Sequence, residues 1–225
     1  MGSKDLFHKK RERTANDLKR QKATPSNPAR QPQPRILIVC EDSKSSAYYL
    51  QDLSRELGLN AVKVEGERCG SAPKSVLEYA QKLYVQSKQD GDAYDRVYCV
   101  FDRDQHPCFD ITAEEVKSLR PKNTFLAVTT TPCFEFWLLL HFAPNAKPYH
   151  ATQNKSPCDN ANSDLKSYWV NYGKSRRDIY TFTKDKTQTA ITFAKQLAND
   201  NIKTGSNNPQ TNMHELIEYL QSIKR

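Results

Sequence analysis

Acidic residues follow two apolar runs of the sequence, at the points where each run ends. Residues 97–101 lead into Asp102 and Asp104, and residues 36–40 lead into Glu41. Asp102 and Asp104 lie two positions apart, so their side chains point the same way from an extended backbone. The repulsion between such carboxylates is usually offset by a divalent cation with oxygen ligands. For the Asp-x-Asp tripeptide alone, the alternative is a pair of solvated loop acids that bind nothing.

These acids meet at one edge of a sheet if the two runs are neighbouring parallel strands. Both runs are short, apolar and bounded by charge, which is typical of strands that are buried on both faces. In open α/β sheets the functional crevice lies at the carboxyl ends of the strands. Glu41, Asp102 and Asp104 would converge there as three hard oxygen ligands, a set that suits Mg²⁺ or Mn²⁺.

A fourth acid, Glu135, lies within the aromatic stretch 131–142. Phe134, Trp137 and His141 fall at the spacing of a buried helix face. A carboxyl group in such surroundings is either paired or functional, and a helix start favours its charged form. We expect Glu135 to be a further metal ligand or a neighbour of the metal site. A pair with a helix terminus or an arginine is the alternative, and His141 is expected to be a core residue.

The elements that position these acids alternate along the chain. Strands are predicted at 36–40, 61–65, 97–101 and 124–129, with helices at 43–57, 72–88 and 112–119. The pattern predicts an α/β fold with a mostly parallel four-stranded sheet and helices on both faces. Further helices are predicted at 131–142, with Pro132 in the first turn, and, after a polar surface excursion at 143–163, at 164–172, 187–200 and 212–223. Thr112 with Glu115, and Asn212 with Glu215, are predicted helix caps.

The chain is predicted to comprise a basic arm and linker (1–34), an α/β domain (35–143) and a helical C-terminal part packed on it (144–225). Residues 1–35 carry ten Lys or Arg and three Asp or Glu, so most of the net charge of +8 belongs to the arm. Such an arm suits salt-dependent phosphate contacts, with a solvated tail as the alternative. The candidate nucleic-acid contacts are Lys9, Lys10, Arg11 and Arg13 in the arm, Arg103 between the acids, and Arg176 and Arg177, for which plain solvated surface is the alternative.

The sequence lacks the motifs and apolar segments that define several protein classes. It has seven glycines, without a P-loop, a G-x-G-x-x-G motif or a G-x-S-x-G elbow. No apolar run approaches the roughly 18 residues of a membrane span, and the basic N-terminus lacks the apolar segment of a secretion signal. Six cysteines without a C-x-x-C pair indicate a reduced cytoplasmic protein without a disulfide framework.

Four tracts occur in an order that resembles a known family. They are Arg-Ile-Leu-Ile-Val-Cys-Glu ending at Glu41, Val-Tyr-Cys-Val-Phe-Asp-Arg-Asp ending at Asp104, Pro-Cys-Phe-Glu-Phe-Trp-Leu-Leu-Leu-His-Phe around Glu135, and Asn-Pro-Gln-Thr ending at Thr211. Together they resemble the RloB family, also called the AbiLii-like family, over most of residues 30–223. The glutamate after the first strand and the later Asp-x-Asp resemble the Toprim pattern of topoisomerases, primases and related nucleases.

The resemblance implies a Toprim-like fold and a role in bacterial phage defence or abortive infection. It also implies a partner ATPase of the ABC or AAA type encoded alongside. Related Toprim effectors are metal-dependent nucleases that act on DNA or on tRNA. Glu41, Asp102 and Asp104 match the Toprim acids, and Glu135 matches the family's own acid.

The first loop departs from the family pattern. The family has Glu-Gly followed by a Thr-Glu pair, whereas this chain has Asp42 after Glu41 and Ser45-Ser46 in place of Thr-Glu. One loop acid is therefore lost and another gained.

The leading hypothesis is a Mg²⁺- or Mn²⁺-dependent endonuclease. Glu41 would be a ligand or general acid/base, Asp102 and Asp104 metal ligands, and Glu135 a ligand or its neighbour. One alternative is a non-catalytic subunit that binds nucleic acid or docks on the ATPase. Another is phosphotransfer through Asp102 as nucleophile, which leaves Glu41 without a role.

Overall fold

One sheet organises the part of the chain that the computed structural model describes, namely residues 33–66, 70, 72–104 and 106–223. Its strands are β1 (Ile36–Cys40), β2 (Val62–Glu65), β3 (Arg96–Asp102), β4 (Phe125–Thr131) and β5 (Gln210–Thr211). Their order is β2-β1-β3-β4-β5, and only the two-residue β5 is antiparallel to its neighbour. The predicted mostly parallel α/β fold is confirmed, with β5 as an additional strand.

The helices follow the strands in the predicted alternation and continue into a helical C-terminal part. They are α1 (Ser45–Glu56), α2 (Pro73–Gln89), α3 (Phe109–Ser118), α4 (Phe134–Leu139), α5 (Pro157–Tyr168), α6 (Ile179–Thr183), α7 (Thr187–Thr204) and α8 (Met213–Ile223). A short 3₁₀ turn, Lys184–Lys186, joins α6 to α7.

Strand β1 shows how the sheet is covered on both faces. All five of its residues are buried. Ile36 and Ile38 pack in a cluster with α1 and the C-terminal helices, whereas Leu37 and Val39 pack in a second cluster with α2 and α3. Alternate residues of a strand point to opposite faces, so a continuous apolar run is needed here. The C-terminal helices therefore share a core with the sheet.

The carboxyl ends of β1 and β3 form a topological switch point. The chain passes from β1 to β2 on one side and then returns to place β3 on the other side of β1. Cys40 lies opposite Val100, and the Glu41 N–H donates to the Val100 carbonyl over 2.9 Å. Ligand sites in open α/β sheets lie at such a reversal of strand order. The register brings Glu41 beside the end of β3.

Helix α3 begins earlier than its capping pattern predicted. It starts at Phe109, and the Thr112 N–H already donates to the Cys108 carbonyl over 2.9 Å, as inside a helix. The predicted Thr112–Glu115 capping box is therefore wrong. The Phe109 ring packs edge-on against Phe101 at 5.6 Å, which anchors the helix start to the end of β3.

Two further helix boundaries also differ from prediction. Helix α4 spans only Phe134–Leu139, and Pro132 precedes it after a cis peptide bond instead of occupying its first turn. Helix α5 begins at Pro157 rather than at 164, so it occupies part of the predicted surface excursion. Its capping box was present in the sequence: Ser156 and Asp159 exchange hydrogen bonds between side chain and backbone.

Asn212 is bonded to β4 instead of capping α8. Its Oδ1 accepts the Thr129 N–H over 2.6 Å, and its Nδ2 donates to the Ala127 carbonyl over 3.1 Å. Its own N–H donates to the Thr129 carbonyl over 3.2 Å. The side chain thus continues the short β5 pairing and satisfies backbone groups on the outer edge of β4. Capping does not account for this residue, contrary to the prediction.

Replacing Asn212 with Ala should lower the free energy of unfolding by about 1 to 3 kcal/mol, because two backbone groups of β4 lose their partners. Urea denaturation followed by circular dichroism measures this change. The matched control is Asn207→Ala at a nearby exposed position, which should have little effect. Equal stability of the two variants would contradict the assigned role of Asn212.

Candidate functional site

A cavity of about 380 Å³ lies at the carboxyl ends of β1 and β3. We call it the acidic cavity, and its lining residues are Glu41, Asp42, Ser43, Lys44, Asp102, Asp104, His106, Cys133, Glu135, Cys158 and Lys174. The four acids that were predicted to form a site are therefore brought to one place. The β1–β3 register and the start of α4 put them there.

Glu41 is held by the end of β3 and by a histidine. Its Oε2 accepts the Asp102 N–H over 2.9 Å, and its Oε1 lies 3.0 Å from His106 Nε2. Burial raises the pKa of Glu41, and the charges of Asp104 and Asp42 raise it further, against the opposing effects of the Asp102 N–H and His106. A carboxyl group with a raised pKa beside a histidine is suited to proton transfer.

Asp102 lies between the end of β3 and the start of α4. Its Oδ2 accepts the Phe134 N–H over 3.0 Å. Burial raises the pKa of Asp102 well above its usual value, and the neighbouring charge of Glu135 raises it further. The direction of this effect follows from burial together with neighbouring negative charge, which both disfavour the charged form of Asp102.

Asp104 reaches the same cavity from a turn rather than from an extended strand. β3 ends at Asp102, and Asp104 has a φ of 34°, a left-handed conformation that is uncommon outside glycine. Its N–H donates to the Pro132 carbonyl over 2.9 Å. The predicted alternation of side chains along an extended Asp-x-Asp therefore does not hold, although both acids line the cavity.

Glu135 is almost fully buried, with 1% of its side chain exposed. Its Oε1 accepts a hydrogen bond from Tyr172 Oη over 2.9 Å, and Ser45 Oγ lies 3.3 Å from the same oxygen. Lys174 Nζ lies 3.5 Å from its Oε2. The cation that faces Glu135 is thus a lysine, rather than the arginine considered from the sequence. Burial lowers the pKa of Lys174, but the charges of Glu135, Asp102 and Asp42 outweigh this effect and raise it.

A disulfide bond joins Cys133 to Cys158, contrary to the expectation of unpaired cysteines. Cys133 immediately precedes α4, and Cys158 lies in the first turn of α5. The bond therefore ties the two helices together beside the acidic cavity. It lies next to Glu135, whose Oε2 is 3.7 Å from the Cys158 sulfur.

The residues that depart from the family pattern in the first loop bond to one another. Asp42 Oδ2 accepts from Ser45 Oγ over 2.6 Å, and Asp42 Oδ1 accepts the Ser46 N–H over 3.1 Å as well as the Ser46 hydroxyl. Asp42 therefore satisfies the first turn of α1 while it lines the cavity. The gained acid and the two serines form one local unit.

The predicted cationic contacts are not gathered in the acidic cavity. Arg103 forms a two-point pair with Asp110, with 3.1 Å between Nη1 and Oδ2, and Arg176 pairs with Asp178 over 2.9 Å. Arg177 lies 4.6 Å from the centre of the Tyr48 ring, at a neighbouring polar hollow that shares Ser43 with the cavity. The arm candidates Lys9, Lys10, Arg11 and Arg13 lie outside the described residues.

The oxygen ligands that line the acidic cavity suit a hard divalent cation. The distances between these oxygens suit it less well. The pKa values of Asp102 and Glu41 are raised by burial and by neighbouring carboxyl groups, and a cation with oxygen ligands would relieve the repulsion among these charges. However, among the described residues the group of three donors whose atoms all lie within 4.8 Å is Cys133, Glu135 and Cys158. Glu41 Oε1 faces His106 instead. A ligand set that includes Glu41 would require this side chain to leave His106, whereas a set without it would not; the Mg²⁺ or Mn²⁺ site stays a prediction.

A family model described as RloB-like protein matches residues 36–220. The chain belongs to the RloB-like family. Curated proteins and solved structures give no match to the chain. All five acids of the cavity lie within the RloB-like region, as do the disulfide and Lys174. The basic arm lies outside it. No helix in the described part of this RloB-like chain is long and apolar enough to cross a membrane.

Sequence reasoning missed the residues that surround the acids in this RloB-like protein. Tyr172, Ser45 and Cys158 contact Glu135 from distant parts of the chain. His106 is the one neighbour of the acids that the sequence could have suggested, because it lies two residues after Asp104. Its Nε2 lies 3.0 Å from Glu41 Oε1.

The acidic cavity predicts how stability depends on pH in EDTA. Because the pKa of Asp102 and of Glu41 is raised on folding, the native state binds more protons than the unfolded state. The free energy of unfolding should therefore fall as the pH rises from about 4 through the raised values. Replacing Asp102 with Asn, which keeps an acceptor for the Phe134 N–H, should reduce this fall.

Urea denaturation between pH 4 and pH 8 measures this effect. At pH 8 the Asp102→Asn variant should exceed the wild type in stability by about 1 to 3 kcal/mol. The exposed Asp185→Asn change serves as the control and should leave the pH profile unchanged. A variant less stable than the wild type at pH 8 would show that the Asp102 charge is already compensated.

Proposed function

We propose that this RloB-like protein is a Mg²⁺- or Mn²⁺-dependent endonuclease that cleaves DNA or RNA, with tRNA as one candidate substrate. The observation that carries the proposal is the convergence of five carboxyl groups, Asp42 among them, in one cavity at the switch point of the sheet. Two of them, Glu41 and Asp102, have pKa values raised by burial and by neighbouring charge. Perturbed carboxyl groups in a cleft are typical of catalytic sites.

The proposed roles follow from the contacts of each acid. Asp102 and Asp104 are the metal ligands, with Glu135 as a further ligand or a neighbour that orients the site. A bound divalent ion would place a phosphodiester group and stabilise the charge on the leaving oxygen. Glu41, 3.0 Å from His106, is the candidate general acid/base. Lys174, whose Nζ is 3.5 Å from Glu135, offers a positive charge to a phosphate oxygen at the cavity wall.

Nucleic acid would reach the cavity from the side on which positively charged residues lie. Arg177 over the Tyr48 ring offers a phosphate contact and an aromatic face beside the acids. The arm residues Lys9, Lys10, Arg11 and Arg13 would add salt-dependent contacts that are blind to sequence. Arg103 and Arg176 would have to leave Asp110 and Asp178 to contribute.

The biological part of the proposal rests on family resemblance. The protein would be a cytoplasmic effector of an antiphage or abortive-infection system and would act with a partner ATPase of the ABC or AAA type. The ATPase would control when the nuclease is active.

One observation favours a second candidate function. Oxygens of Glu41 and Asp102 already accept protein hydrogen bonds, and the acids are not at ligand spacing. A non-catalytic subunit that binds nucleic acid or docks on the ATPase would not need these acids to bind a metal. Metal binding and turnover separate the two candidates.

The test is a cleavage assay with total tRNA, plasmid DNA and single-stranded DNA, with and without the partner ATPase, in Mn²⁺ or EDTA. We expect Mn²⁺-dependent cleavage that falls at least about 100-fold in Asp102→Asn, because the variant loses a charged ligand. Asp102→Asn is expected to remain folded, so this loss would not report unfolding. Asp185→Asn should cleave as the wild type does.

Two outcomes would contradict the nuclease. Cleavage that persists in EDTA or in Asp102→Asn would show that the acidic cavity does not catalyse the reaction. Absence of cleavage on every substrate, with the ATPase present and metal bound, would favour the non-catalytic subunit.

A further inference from the structure

We propose that the two thiols of Cys133 and Cys158, once their disulfide is reduced, form a second metal site with Glu135 that takes a soft divalent cation such as Zn²⁺. This site is distinct in chemistry from the all-oxygen set proposed for Mg²⁺ or Mn²⁺. It does not rest on the proposed nuclease activity, since the binding of Zn²⁺ requires only these side chains.

The geometry of the three donors supports the site. A sulfur of Cys133, a sulfur of Cys158 and a carboxylate oxygen of Glu135 all lie within 4.8 Å of one another. Zn²⁺ with ligands at about 2.3 Å for sulfur and 2.0 to 2.2 Å for oxygen places its tetrahedral donors roughly 3.5 to 3.8 Å apart. Breaking the sulfur–sulfur bond allows the two sulfurs to separate to that spacing. Three protein ligands leave the fourth position for water, as in open zinc sites.

The charges around the donors suit a thiolate site. Two thiolates and one carboxylate around Zn²⁺ carry a net charge of −1. Lys174 Nζ lies 3.5 Å from Glu135 Oε2 and 4.0 Å from the Cys158 sulfur, where it balances that charge. Cys158 lies in the first turn of the 12-residue α5, whose N-terminus stabilises a thiolate.

The ligand types separate the two metal classes. Thiolates select soft or borderline ions such as Zn²⁺, whereas carboxylates without sulfur suit Mg²⁺ and Mn²⁺. Glu135 belongs to both sets, because it touches Cys158 on one side and raises the pKa of Asp102 on the other. A soft ion bound to the thiols would therefore withdraw Glu135 from the all-oxygen set.

The redox step that opens the site is balanced by a dithiol reductant. The reductant attacks the Cys133–Cys158 bond, forms its own disulfide and delivers two electrons and two protons to the protein sulfurs. Binding of Zn²⁺ then releases the thiol protons to solvent. Oxidation by a disulfide compound reverses both steps and expels the ion.

The test is a titration of the full chain with Co²⁺, which substitutes for Zn²⁺ and gives a sulfur-to-metal charge-transfer band. The chain is reduced, separated from reductant without oxygen and compared with the oxidised chain. We expect a band that saturates at a single Co²⁺ per reduced chain, is displaced by Zn²⁺ and is absent from the oxidised chain. Cys133→Ser and Cys158→Ser should each weaken Co²⁺ binding at least about 100-fold.

Two variants sharpen the assignment. Cys108→Ser changes a free cysteine outside the site and should bind Co²⁺ as the wild type does. Glu135→Gln should retain the sulfur band but weaken binding about tenfold or more, because the two thiolates remain. A band that persists in both cysteine variants, or a reduced chain that shows no band or loses its circular dichroism signal, would overturn the proposal. These readouts involve no cleavage, so they stand apart from the nuclease test.

Discussion

The burial of the Glu135 carboxyl group is the constraint on which the rest of the site depends. Removing a charged carboxylate from water costs several kcal/mol unless hydrogen bonds and opposite charge compensate for it. Tyr172 and Lys174, both in the segment after α5, supply that compensation, and Ser45 Oγ of α1 lies 3.3 Å from the same carboxyl group. Hydrogen bonds to a charged group contribute about 1.5 to 3 kcal/mol each. These contacts tie the segment after α5 to the acid-bearing end of the sheet, beside the apolar core that the C-terminal helices share with it.

The same constraint accounts for the electrostatics of the acidic cavity. Lys174 already faces Glu135, and the nearby Asp102 has its charged form disfavoured by burial and by Glu135. The excess negative charge in the cavity can be neutralised by binding protons or by binding a cation. A cavity that holds protons in the absence of metal and exchanges them for a divalent ion is suited to the proposed phosphodiester chemistry. The position of the acids at the switch point of the sheet, where ligand sites of open α/β sheets lie, agrees with that interpretation.

Local pattern was sufficient for the four parallel strands and for the acids that follow β1 and β3, but not for the short β5. Apolar runs bounded by charge located β1 and β3, and the rule that parallel strands share a carboxyl edge placed Glu41 near Asp102. The surroundings of these acids depend on contacts between residues far apart in sequence. Tyr172 lies 37 residues from Glu135 and Ser45 lies 90 residues away, so no window of the sequence reveals either contact.

Tertiary contacts also changed the roles of residues that local rules had assigned. Asn212 has the spacing of a helix cap. However, backbone groups on the open edge of β4 require hydrogen-bond partners, and the Asn212 side chain bonds to them instead. Arg103 lies between two site acids in sequence, yet the turn directs it onto Asp110 and the Phe109 ring. Cys133 and Cys158 lack a recognisable spacing because they are joined through the packing of α4 on α5.

The most direct test of the central claim is a titration of the oxidised chain with Mn²⁺, followed by electron paramagnetic resonance. The oxidised state keeps the thiol site closed, so bound Mn²⁺ reports the carboxyl groups. If the acidic cavity is a hard-cation site, the wild type and Asp185→Asn will bind Mn²⁺ alike. Asp102→Asn and Asp104→Asn will then each weaken binding by about tenfold or more. Mn²⁺ binding that is absent from the wild type, or equal in all four proteins, would contradict the claim.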